Sequence, residues 1–334
     1  MNGELERTLL LVINELEFSG PEAFVFAGRP SALWSNGHAP ADGRQPAPEA
    51  LQNALYGSCY TRRFQGSLED ITPNMSEDAT GWVEALSAAN MSKDRWEEGW
   101  QVQQFLPSGQ IYGQKPGLVR AFWPGEFITR ANHGMAPQPG TPIAVFFPRE
   151  SRNLQNGFYF VFGEALADWH DEFPTVRYYW NIRREGAAPL VQSLTAALNK
   201  YQVPFRFKIL NHPAMLGRSD AAILYLGRRY YRAAAEICGE THDKIIDLLD
   251  EPVPLFTLRL AKGLAFAEDP GTQESFGMMR CRLLAEGLCA AFSEGRTTAG
   301  DRLERVRQYF TANGISLEHP FLNAGSVFSY EFPQ

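Results

Sequence analysis

The sequence predicts an α+β protein: a mostly antiparallel, sheet-centred body with flanking helices and a helical N-terminal portion. Short β-rich runs cluster between Trp100 and Phe162 and again between Val176 and Leu226, instead of alternating strictly with helices as in an α/β chain. Helical periodicity marks both ends of the chain. The 334 residues, 44% apolar and 21% charged, have ordinary globular composition and no fixed-period repeat, enough for about two domains or one large one. The division falls after residue 95, with 1–95 as the helical portion and 96–334 as the α+β body, or the two run on as one continuous domain 1–334.

Taken in order, Leu5, Leu9, Val12 or Ile13 and Leu16 recur at helical spacing and predict an amphipathic helix over residues 3–17. Gly28 to Pro48, rich in Gly, Pro, Ala and Asn, reads as a long surface loop before a helix carrying Leu51, Leu55, Cys59 and Tyr60, closed by Arg62 and Arg63. A third helix spans Gly81–Ala89 with Trp82, Ala85 and Leu86 inward. Strands follow at 101–106, 110–115, 118–123, 143–147 and 158–162, punctuated by Gly and Pro as in an antiparallel meander, with Pro137–Pro142 as a protruding loop. Val176–Ile182 alternates as a strand, and Pro189–Tyr201 is helical with Pro189 in its first turn. Phe205–Leu210 and Ala221–Leu226 are strands, and helices fill 228–249, 276–292 and 299–311.

Several function classes are excluded. Thirty-one Lys plus Arg against 38 Asp plus Glu leave a net charge of −7, without the basic field of a nucleic-acid binder. The longest aliphatic run, Leu9–Ile13, is far short of the ~20 residues that cross a bilayer. Glu4, Glu6 and Arg7 precede that run, so the start lacks the basic opening of a secretory signal. Cys59, Cys238, Cys281 and Cys289 form no CxxC pair, which speaks against a zinc site or disulfide framework and fits a reducing cytoplasm. The six histidines show no HxH or HxxxH spacing, and no GxGxxG or Walker loop is present, so neither metal nor cofactor is expected.

Chemistry is concentrated on two strands. Period two sends Val176, Tyr178, Trp180 and Ile182 to one face and Arg177, Tyr179 and Asn181 to the other, where a guanidinium, a phenol and an amide stand in a row suited to an anion. Such a row is also what a solvated sheet face presents. In the second strand Phe205, Phe207 and Ile209 oppose Arg206, Lys208 and Leu210. A partly buried lysine beside an arginine has a depressed pKa and can act as a general base, whereas two snorkelling cations would carry no function. Arg218 and Asp220 lead directly into the next apolar strand, as a structural ion pair or as the edge of a site. Ser275 caps a helix whose free N–H groups, with Arg280 just over a turn on, can hold an anion, although Glu274 opposes this.

In order, the motifs GFYFVFG (157–163), VRYYWN (176–181), PFRFKIL (204–210), RSDAAILY (218–225), and AEDP with ESFG (267–277) resemble the HopA type III effector family. The resemblance runs from about Gly157 to Arg282, more loosely from Trp100, and only weakly at the N-terminus. That family includes phosphoserine and phosphothreonine lyases of class V lanthipeptide and thioamitide biosynthesis. The resemblance therefore implies a carbon–oxygen lyase that eliminates phosphate from a precursor peptide, giving dehydroalanine or dehydrobutyrine. Its partners would be the phosphorylated, leader-bearing precursor and a separate kinase-like protein, in the cytoplasm and without a cofactor. On this reading Lys208 is the base, Arg177, Arg206, Arg218 and Arg280 clamp phosphate, and Asp220 orients Arg218. Asn181 or Tyr179 supplies a neutral donor, and His212, close after the lysine strand, is the candidate acid. The effector members imply a rival, a protein acting in a host cell by binding an immune regulator. A third possibility is a silent subunit that presents the precursor to the kinase.

Overall fold

The computed structural model describes residues 3–21, 23–34, 47–68, 75–76, 79–129, 136–167, 174–272 and 274–333. His38, His133 and His170, with most of the loop expected before Pro48, lie outside them. Helix α1 (Gly3–Asn14) buries Leu5, Leu9, Val12 and Ile13. It stops short of residue 17 because Leu16 already pairs with Phe26 in a small sheet formed by β1 (Leu16–Gly20), β2 (Ala23–Phe26) and β3 (Arg29–Pro30). The N-terminal portion is therefore not purely helical. Helix α2 (Ala47–Leu55) continues through one π turn over Tyr56–Tyr60, and α3 (Thr80–Ala89) follows. Leu86 of α3 is buried and Trp82 donates from Nε1 to the Leu210 carbonyl at 3.0 Å, but Ala85 is exposed, contrary to its expected place.

The meander is a five-stranded antiparallel sheet of β4 (Arg95–Phe105), β5 (Ile111–Lys115), β6 (Leu118–Phe122), β7 (Phe127–Thr129) and β8 (Pro142–Phe147), in the order β6-β5-β4-β8-β7. Trp100, Val102, Ile111, Phe122, Ile143 and Val145 form its own small core. Residues 138–140 are exposed but anchored at their end to β4. The Gly140 amide donates to the Val102 carbonyl and Val102 returns a bond to the Thr141 carbonyl, so the segment folds back on β4.

The central sheet contains β9 (Glu150–Ser151), β10 (Phe158–Phe162), β11 (Thr175–Trp180), β12 (Arg206–Leu210), β13 (Ala222–Gly227), β14 (Leu258–Ala261) and β15 (Leu264–Glu268). All neighbours are antiparallel, in the order β14-β15-β11-β13-β12-β10-β9. The expected meander thus ends before β10, which crosses to this second sheet to pair with β12. Four helices complete the chain: α4 (Arg184–Lys200), α5 (Tyr231–Ile245), α6 (Phe276–Ser293) and α7 (Ala299–Ala312). Pro189 lies inside α4 and not in its first turn, since the helix starts five residues earlier at Arg184. Gly186, Ala187, Leu190 and Val191 are buried, and their packing offsets the amide bond that proline cannot make.

Helices cover both faces of this sheet. Tyr178, Trp180, Phe207, Leu224 and Phe266 pack on one side with Leu190, Leu194 and Ile237 from α4 and α5. On the other, Tyr179, Ile223, Ala265 and Ala267 share a core with residues of α1, α2, α6 and α7, so the N-terminal elements and the sheet bury one another. Two glycines permit the closest approaches. A Cβ on Gly277 would stand 2.4 Å from the Tyr60 ring and one on Gly163 2.7 Å from the Phe205 ring. The second helical layer leaves the β12–β10 side of the sheet partly open, and cations occupy that opening.

Candidate functional site

Register brings the cations together. Tyr225 of β13 stands opposite Arg177 of β11 on one side and Arg206 of β12 on the other, and Lys208 stands opposite Ile223. Paired residues share a face, so Arg177, Tyr225, Arg206 and Lys208 all point toward the second helical layer. The two guanidinium carbons lie 5.1 and 4.9 Å from the Tyr225 ring centre, the geometry of cation–π contact. The Lys208 ammonium is 5.7 Å from the same ring and 4.1 Å from that of Phe158, and it donates to Gln155 Oε1 at 3.1 Å.

Arg218 arrives from the turn before β13. Ser219 fixes that turn by donating from its amide to the Thr61 carbonyl at 2.7 Å and from its hydroxyl to the Tyr60 carbonyl at 3.0 Å. Asp220 then grips Arg218 with both oxygens, at 2.8 Å from Nε and 2.9 Å from Nη2. The Tyr56 hydroxyl closes the triangle, accepting from Arg218 at 3.3 Å and donating to Asp220 at 3.4 Å. The π turn, in which the Tyr56 and Tyr60 rings stack at 5.3 Å, delivers this phenol. Arg177 is held from the far edge by a single bond, donating from Nε to Asp269 Oδ2 at 2.7 Å.

Four cations thus meet two carboxylates. Arg177 and Arg218 are oriented by their acids. Arg206 and Lys208 have no carboxylate partner among the described residues. Burial, together with the charges of Arg177, Arg206 and Arg218, pulls the Lys208 pKa down to about 8 against the opposing pull of Asp220. Burial pushes the Tyr225 and Tyr56 phenols up, so both stay protonated as neutral donors. Guanidinium groups fixed in direction suit the oxygens of a phosphate, and an amine that loses its proton near neutrality suits proton abstraction.

Not every residue expected in the site is there. Arg280 is fully buried and donates to the Pro320 and Leu322 carbonyls at 2.8 and 2.7 Å while lying over the Phe276 ring. It staples the C-terminal segment to α6 and has no surface to offer phosphate. Arg280→Ala should lower stability by about 3 kcal/mol, because two bonds from a charged donor are lost and buried carbonyls are orphaned. A urea midpoint measures this, and phosphate affinity of the folded fraction should not change. Asn181 donates to the Pro252 carbonyl at 2.8 Å and anchors the segment before β14, away from the cations. Tyr179 lies on the right face, but it is wholly buried between Arg177 and the Phe276 side chain and cannot meet a ligand. His212 is buried with Nδ1 accepting from the Ala214 amide at 3.1 Å, which makes it the cap of the turn after β12. Ser275 does cap α6, but Glu274 beside it is engaged by Arg282 and Gln52.

Sequence reading missed Tyr56, Gln155, Tyr225 and Asp269. Tyr225 had a signal, since period two from Ile223 puts it on the face opposite Leu224. Nothing local marks the other three, which depend on tertiary placement.

Among the described residues no helix is long and apolar enough to cross a membrane. No curated protein matches the sequence significantly. Two solved structures of effector proteins from Pseudomonas syringae are similar, each at 16% identity. That from pathovar tomato strain DC3000 covers 84% of this chain and 91% of its own, with a TM-score of 0.46. That from pathovar syringae strain 61 covers 97% and 99%, with a TM-score of 0.47. The model of the HopA1 effector protein family matches residues 149–322, just over half of the chain and the stretch holding β10 to β15 with Arg177, Arg206, Lys208 and Arg218, so the chain belongs to the HopA1 effector protein family.

Proposed function

We propose that the cationic cluster receives the phosphorylated side chain of a serine or threonine in a peptide and eliminates its phosphate. The observation that carries this is Lys208, an amine poised near pH 8 with three arginines close enough to depress it. In the proposed step the neutral Lys208 Nζ takes the α-proton, and the C–H electron pair becomes the Cα–Cβ double bond. The Cβ–O bond breaks with its electrons on oxygen. The phosphomonoester, a dianion above about pH 6, departs with the proton that Lys208 has taken, as hydrogenphosphate, and Lys208 returns to the neutral amine. Arg177, Arg206 and Arg218 stabilise the charge that develops on the leaving group. Tyr225, a neutral phenol between two of them, can donate to the same oxygens. The substrate would be a kinase-phosphorylated precursor peptide, and the kinase a separate protein.

The test is mass spectrometry of a phosphorylated precursor peptide, carrying its leader, after incubation with the protein alone. Loss of phosphoric acid is the expected result. An unchanged phosphopeptide, even one that binds, would overturn the lyase.

Membership in an effector family supports a second reading more directly: the same pocket captures a phosphorylated or acidic protein inside a host cell without chemistry. The bidentate Arg218–Asp220 pair and the singly bonded Arg177–Asp269 pair serve capture as well as they serve catalysis. Binding without turnover would favour it.

A further inference from the structure

Beside the cation cluster lies a cavity of about 510 Å³ at the seam of the two large sheets. Arg206 and Tyr225 line it as well as the cluster, so the two spaces share a wall. Arg120 of β6 also lines it, and its apolar walls include Phe147, Phe162 and Phe205. Among the described residues no Asp or Glu lines it. Arg120 is half-buried and donates from Nη2 to the Ala167 carbonyl at 3.1 Å, but no carboxylate pairs with it among the described residues. Glu97, whose charge it feels, is already taken by Lys115 at 2.6 Å and by Arg95 at 3.3 Å. Two arginines lining one largely apolar cavity, in a chain of net charge −7, call for an anion attached to an apolar or peptide body.

We propose that this cavity is a second anion subsite, which takes an acidic or phosphorylated side chain flanking the residue bound at the Lys208 cluster, with Arg120 as its own cation. This deepens the phosphoryl-binding function proposed above and rests on it. Because Arg206 and Tyr225 border both spaces, the two anions belong one or two residues apart, an extended chain advancing about 3.3 Å per residue. The preferred substrate is then a doubly anionic peptide, and the neighbour sets affinity while the cluster acts on the phosphoryl group.

The test is titration calorimetry at pH 6, where Lys208 is protonated and turnover is slow, with the full chain and three synthetic peptide types. One carries a single phosphothreonine among alanines. The others add aspartate, or a second phosphothreonine, at one of the two positions on either side. At the right position an added anion should tighten binding about tenfold, and the two additions separate a carboxylate from a phosphate preference. Arg120→Gln, which keeps a donor for the Ala167 carbonyl, should abolish that gain and leave the singly charged peptide unaffected. Arg120→Lys should retain part of it. No gain at any of the four positions, or a gain that survives in Arg120→Gln, overturns the subsite. If the singly phosphorylated peptide does not bind, the function proposed above fails, and phenyl phosphate decides the cavity: a tenfold loss in Arg120→Gln sustains it, and indifference to Arg120 removes it.

Discussion

Replacing Lys208 by alanine should slow phosphate release by about 10²–10⁴-fold, the range that general-base catalysis supplies. The fold should survive the change, because the charged amine is a burden on the folded chain. Its pKa falls from the ordinary 10.5 to about 8, so between those values the unfolded chain binds more protons and stability rises with pH. Below about 8 the folded state carries the full cost of a desolvated ammonium, which Lys208→Ala removes together with the pH-dependent rise. Activity has its own signature. With a pKa of about 8 roughly one lysine in ten is neutral at pH 7, so kcat/KM of the wild type should climb about tenfold between pH 7 and pH 9. Lys208→Arg, which keeps the charge and cannot act as a base, should bind the phosphopeptide and release nothing. Normal turnover by either variant, or a profile flat from pH 7 to pH 9, would remove Lys208 from the chemistry.

Much of the central sheet was legible because its pattern is local. Period-two alternation assigned the side chains of residues 176–180 and 205–209 to the correct face, since one face is saturated with large apolar groups and the other interrupted by cations, whereas Leu210, expected beside Lys208, joins Phe207 and Ile209 in the opposite core and Asn181 turns away to the Pro252 carbonyl. The strands Leu258–Ala261 and Leu264–Glu268 were not visible: the first has half-buried and exposed positions without alternation, and the second is buried throughout, so neither shows a period. The same limit hid the break after Asn14. Leu16 continues the helical spacing of α1, and only its pairing with Phe26 makes it a strand residue.

Of the site, the basic residues were legible and their partners were not. Lys208, Arg206, Arg177 and Arg218 announce themselves as charges on or beside apolar strands. Arg280 shows the weakness of that rule, since a guanidinium can equally be consumed by backbone carbonyls, and its covering residues Pro320 and Leu322 lie 40 or more positions away. Asp269 and Tyr56 were invisible for the same reason: a carboxylate after a strand and a phenol in a helix acquire a role only when β11 and β13 are set beside them. The family resemblance supplied order where local pattern could not, and its span from Gly157 to Arg282 falls inside the matched residues 149–322.

The acids should tune the base in opposite directions to the cations around it. Asp220 raises the Lys208 pKa and Arg177 lowers it, so Asp220→Asn should move the rising limb of kcat/KM below about 8 and Arg177→Gln should move it above. Both changes carry a structural cost. Asp220→Asn deprives Arg218 of a partner held at 2.8 and 2.9 Å, in a pair whose side chains are 20% and 4% exposed, and should lower stability by about 3 kcal/mol. Arg177→Gln strands Asp269 and should cost a similar amount, measured by urea midpoint at a pH where both variants remain folded. A simple loss of folded protein scales the rate at every pH and leaves the limb in place, so its displacement separates electrostatic tuning from damage. Affinity divides the two variants again: Arg177→Gln removes a proposed phosphate ligand and should raise KM, whereas Asp220→Asn frees Arg218 of its competing anion and should not. If both limbs moved the same way, or neither moved, the titrating group would not be the lysine that these charges surround.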